Sequence, residues 1–81
     1  MDFEELAKFL RQRGYTENEV KEGLRIFYEF GTMDFLCSDC AKKYEVEYKD
    51  GKVTKAVMVQ YWFGQTLIRE INTMEELRNS L

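Results

Sequence analysis

The chain contains no histidine and no proline, and only two cysteines. Without histidine there is no imidazole to activate a serine or cysteine nucleophile, to act as a general base or to ligate a metal, so such work falls to carboxylates or lysines. Long apolar runs are also missing. The longest, "AVMV" and "YWF", fall far short of the roughly 20 residues that a membrane-spanning helix needs. The opening "MDFEEL" is acidic, without the basic and apolar regions of a secretion signal, so the expected location is cytoplasmic and the cysteines are expected to be reduced. A strong charge of either sign is absent: the net charge of −3 is spread evenly, and the whole chain lacks the basic footprint of a nucleic-acid binder. No glycine-rich phosphate loop, nucleophile elbow or catalytic cluster is visible. Acid pairs such as Glu4/Glu5 and Glu75/Glu76 fall at predicted helix N-termini, where the helix dipole accounts for them. The chain reads as non-enzymatic.

What is present is the composition of a folded domain with a high aromatic share. At 81 residues the chain holds one core, so residues 1–81 form a single domain. Phe3, Leu6, Ala7 and Leu10 follow helical spacing behind Asp2 and Glu5, which predicts an amphipathic helix over residues 2–13 that Gly14 stops. Thr16 with Glu19, and Thr73 with Glu76, have the spacing of capping boxes. A second helix is therefore expected from Thr16 to Phe30, with Val20, Leu24 and Phe27 on one stripe, making a helical hairpin with the first. Met33, Leu36, Cys37, Cys40 and Ala41 predict a short third helix capped by Thr32.

From residue 44 the period changes to two. Tyr44, Val46 and Tyr48 alternate with Glu45, Glu47 and Lys49, the mark of a half-buried strand, and Asp50-Gly51 is a strong two-residue hairpin signal. Counting back from that turn sets Tyr48 against Val53 and Tyr44 against Val57. A long strand, "VTKAVMVQYWF", then turns near Gly64-Gln65 into "TLIREI". The expected fold class is α+β: an N-terminal helical hairpin with a short third helix, a three-stranded antiparallel meander and a short C-terminal helix carrying Met74, Leu77 and Leu81.

The C-x-x-C of Cys37 and Cys40 admits three readings. At helical spacing both cysteines pack as small hydrophobes in the core. The aromatic before the first cysteine and the following "KKYEVEYKDGK" resemble one half of a zinc-ribbon knuckle. A closed zinc site needs four ligands, however, so that resemblance implies a homodimer sharing one zinc between two cysteine pairs. A redox pair is the third reading; Asp34 and Asp39 beside the cysteines raise a thiol pKa rather than lower it.

Function is expected to lie in binding. One face of the central strand carries Val57, Val59, Tyr61 and Phe63; the other carries Ala56, Met58 and Trp62, joined by Leu67 and Ile71. Met58, Trp62, Leu67 and Ile71 are the candidate interface, with Trp62 at its centre, because Trp and Tyr dominate contact hot spots. A small, acidic, regulatory protein-binding module fits the general profile of inhibitors from phages or mobile elements, of the anti-CRISPR kind, which occlude a surface of their partner. The alternative is a winged-helix-like nucleic-acid binder, for which Lys42, Lys43, Lys49, Lys52 and Lys55 gather around the first hairpin. No cofactor is expected unless two subunits share a zinc.

Overall fold

The chain begins as expected, with an amphipathic helix that lays one apolar stripe on a sheet. A computed structural model of the chain describes residues 1–29, 42–62 and 64–81, with the side chain of Trp62 left out. Helix α1 (Phe3–Gln12) is N-capped by Asp2, whose carboxylate accepts the Glu5 amide at 3.1 Å. Its buried residues are Phe3, Leu6, Ala7 and Leu10, the predicted stripe.

After α1 the chain departs from expectation. The predicted second helix is two strands, β1 (Tyr15–Lys21) and β2 (Leu24–Glu29), joined through Glu22 and Gly23. Gly23 has φ +83°, and a Cβ there would meet the Tyr48 carbonyl oxygen at 3.1 Å, so the turn needs glycine twice over. Val20, Leu24 and Phe27 imitate helical spacing by coincidence. The alternation that marks the strands runs through Tyr15, Glu17, Glu19, Arg25 and Phe27, and charge at the inward positions hides it. Strands β3 (Lys42–Lys49), β4 (Lys52–Trp62) and β5 (Gln65–Glu70) follow, then helix α2 (Met74–Asn79). The N-terminal helical hairpin and three-stranded meander thus give way to one N-terminal helix and a five-stranded antiparallel sheet in the order β1-β2-β3-β4-β5. The third helix predicted from Thr32 lies outside the described residues.

The β3–β4 turn is as read: Asp50 has φ +52° and Gly51 φ +76°, the pair of left-handed conformations that a tight hairpin requires. Tyr48 does pair with Val53. Tyr44, however, pairs with Met58 and not Val57, because the register shifts by one residue between Glu47 and Tyr48. Thr54 is the extra residue on β4, and its hydroxyl donates to the Glu47 carbonyl at 3.1 Å. A shift of one residue exchanges the faces of a strand. Ala56 and Met58 therefore face the helices, beside Val46 and Tyr44.

Both helices lie on that face. Phe27, Tyr44, Leu6, Leu10, Leu77 and Val46 are its largest fully buried side chains, each contributing on the order of 1.5–3 kcal/mol by burial. Thr73 caps α2 as predicted, its hydroxyl accepting the Glu76 amide at 3.1 Å, while the Glu76 carboxylate reaches back to the Asn72 amide at 2.7 Å. Leu77 anchors α2 in the core, and Ser80 meets the Tyr44 hydroxyl at 2.6 Å.

Candidate functional site

The sheet has two outer strands, and their surroundings differ. On β1, Glu17 and Glu19 point to the helix side together with Arg25 of β2. Arg25 donates to Glu17 Oε1 at 2.7 Å and to Glu19 Oε1 at 2.7 and 3.0 Å. Arg11 of α1 reaches Glu17 as well, with Nη2 to Oε1 at 3.0 Å, and the Tyr48 hydroxyl donates to Glu19. The Arg25 guanidinium lies 4.9 Å from the centre of the Phe3 ring and 5.6 Å from that of Tyr48; those two rings stack at 3.9 Å. Hydrogen bonding holds both carboxyls below their ordinary range, from Arg11 foremost for Glu17 and from Tyr48 foremost for Glu19. The same bond raises the Tyr48 phenol. A register shift between Glu19 and Lys21 then bends the end of β1. Charge and a bulge are two of the devices by which an outer strand resists pairing with another chain.

Strand β5 has neither device at its centre. All six residues from Gln65 to Glu70 are exposed, Ile68 at 65% and Leu67 at 48%. Ile71 donates its amide to the Ala56 carbonyl at 2.8 Å, and the β4–β5 register sets those two residues opposite each other. Antiparallel ladders alternate bonded and non-bonded pairs. Gln65, Leu67 and Arg69 therefore turn their backbone groups toward β4, whereas Thr66, Ile68 and Glu70 turn theirs toward the open edge. Among the described residues no strand pairs with that edge. A shallow cavity of about 430 Å³ beside it is lined by Gln60, Gln65, Thr66 and Leu67.

The candidate interface residues are divided by the fold. Met58 and Ile71 are buried in the core, and Leu67 is at the surface on the helix side of β5. The side chain of Trp62 is not described. Sequence reasoning passed over Ile68, on the opposite face of β5 from Leu67. The available signal was topological: the last strand of a meander is an edge, and both of its faces lie next to the open backbone.

By register Lys43, Lys49, Lys52 and Lys55 share the sheet face away from the helices, interleaved there with Glu45 and Glu47, while Lys42 lies on the helix side. Lys42 donates to the Ser80 carbonyl at 2.8 Å, Lys43 pairs with Glu45 at 3.2 Å, and Lys55 lies opposite Glu47. Lys49 and Lys52 face each other at the hairpin, about 23 Å from Lys42 at roughly 3.3 Å per residue. The cavity at that end of the sheet mixes Lys21 and Lys49 with Glu22, Glu47 and Asp50, so it favours neither sign of ligand. Cys37 and Cys40 lie outside the described residues, and among the described residues no group of acidic or sulfur ligands is placed to hold a metal. Among the same residues no helix is long and apolar enough to cross a membrane.

Compared with protein-family models, curated proteins and solved structures, the chain matches none.

Proposed function

We propose that the chain is a non-enzymatic protein-binding module whose contact is the open edge of β5, where another chain adds a strand. The observation that carries this reading is the run of outward backbone groups at Thr66, Ile68 and Glu70 beside the exposed side chains of Leu67 and Ile68. In strand addition, main-chain hydrogen bonds supply affinity and alternate side chains supply specificity. β5 offers both. A module of this kind is in keeping with the small phage or mobile-element inhibitors whose profile its composition fits.

A photo-crosslinking amino acid placed at position 68 tests the proposal. It is expected to link the chain to another polypeptide, whereas the same residue at position 18, on β1, links to none. Equal capture at both positions, or none at 68, contradicts the assignment.

A further inference from the structure

We propose that the strand received by β5 is β5 of a second copy of this chain, joined about a two-fold axis through Ile68 to continue the sheet. This rests on the reading of β5 as a docking edge and goes further by naming the occupant.

The argument is one of register. An antiparallel pair related by a two-fold axis normal to the sheet keeps each helix layer on the same face, so a residue must meet one of equal parity. Only Thr66, Ile68 and Glu70 have outward backbone groups. Centring on Ile68 uses all of them: Ile68 meets the second copy's Ile68, and Thr66 meets its Glu70 in both directions. Such pairing makes about six backbone hydrogen bonds, two per pair. Centring on Leu67 instead sets Ile68 against Thr66 and leaves Glu70 to meet a turn glycine.

The side chains agree with the Ile68-centred register. The two Ile68 side chains, 65% exposed in the single chain, cover each other on one face. On either side a threonine hydroxyl faces a glutamate carboxylate, its natural acceptor. On the helix side Leu67 lies against the aliphatic stem of Arg69, which buries carbon while its charge stays in water. No like charges oppose each other.

Strand β1 gives the contrary result under the same test. Its register sets Asn18 against Ile26, and the β2–β3 pairing places the β2 groups that face β1 on Ile26 and Tyr28; the outward residues of β1 are Tyr15, Glu17 and Glu19. Centring β1 on Glu17 sets glutamate against glutamate, and centring it on Asn18 sets Glu17 against Glu19. Self-complementarity is thus a property of one edge alone. A contact of one strand falls below the roughly 1,200 Å² of a standard interface, so the dimer is concentration-dependent.

Charge exchange at the axis is the test, because only a second copy brings the same position into contact with itself. In native mass spectrometry across a protein dilution series, the wild type is expected as a dimer at the higher concentrations. Ile68→Lys and Ile68→Glu are each expected as monomers, with dissociation at least tenfold easier. Their equimolar mixture is expected to regain a dimer of mixed mass. The exposure of Ile68 keeps both variants clear of the core, and circular dichroism checks that they are folded. Ile68→Cys tests the register: its Cα atoms lie about 5.5 Å apart across the axis, within disulfide reach. Thr66→Cys separates them by about 13 Å along the strands and is expected to stay unlinked under the same mild oxidation. A mixture that stays monomeric, or equal linking by both cysteine variants, overturns the proposal. If the wild type is monomeric while position 68 still crosslinks to a different protein, self-pairing fails and the docking edge stands.

Discussion

At β1 the carboxylates of Glu17 and Glu19 are held by Arg11, Arg25 and Tyr48, the strand ends in a bulge, and α1 packs alongside. At β5, on the other side of the same sheet, every residue is exposed and the centre of the strand is Leu-Ile. An outer strand carries a row of unpaired donors and acceptors whatever its sequence, so a domain either blunts it or uses it. The charged side chains around β1 also fasten that strand to the helix, so they stabilise the fold and guard the edge together. β5 contributes backbone pairing to β4 but little side-chain burial. A strand that adds so little to the core is available for contact with another chain.

Five changes break or sharpen this contrast, beginning with the largest. Phe27 is fully buried beneath the β1 side and near the Phe3 ring. Phe27→Ala is expected to cost about 3–5 kcal/mol, read as a fall in the urea midpoint. Arg25→Ala removes the cation between Glu17 and Glu19 and the planar group over Phe3 and Tyr48. With Arg25 partly exposed, the expected loss is about 1–2 kcal/mol, with self-association unaffected.

Acid supplies the third test. Glu17 and Glu19 have folded pKa values below their ordinary range. The stability they add is therefore complete above the unfolded carboxylate range and is lost as pH falls through the lowered folded values. Urea midpoints measured from about pH 7 to about pH 3 should fall at the acid end, and less steeply in Arg25→Ala. Alkali acts with the opposite sign. Burial raises the phenols of Tyr15 and Tyr44 above the ordinary value of 10, so their contribution is complete below that value and is lost as pH rises through the folded ones. The smallest effect belongs to β5: Leu67→Ala is expected to change monomer stability by no more than about 0.5 kcal/mol, checked by the same denaturation.

Where structure follows from contacts within a few residues, the sequence was mostly readable, the exception being Thr16 and Glu19, whose capping-box spacing falls inside strand β1. The Asp2 cap of α1, the Thr73–Glu76 box of α2 and the Asp50-Gly51 turn each announce themselves in a stretch of two to four residues, and each formed as read. The β1–β2 hairpin was hidden because its inward positions carry Glu17, Glu19 and Arg25, which match a strand only once α1 and Tyr48 are known to meet them. The β3–β4 register slipped because the bulge at Thr54 has no glycine to mark it. As for the proposed edge, Leu67 entered the candidate interface through its apolar side chain. Ile68 needed the strand order, since exposure of its backbone is a consequence of topology and not of composition.

Amide hydrogen exchange at two protein concentrations tests the central claim most directly, because it reads the outward backbone groups of both edges in the same sample. The account predicts that the amides of Thr66, Ile68 and Glu70 exchange rapidly in dilute protein and become protected as concentration rises, while those of Glu17 and Glu19 exchange at the same rate in both. Rates at Thr66, Ile68 and Glu70 that ignore concentration, or protection that appears on β1 instead, would contradict it.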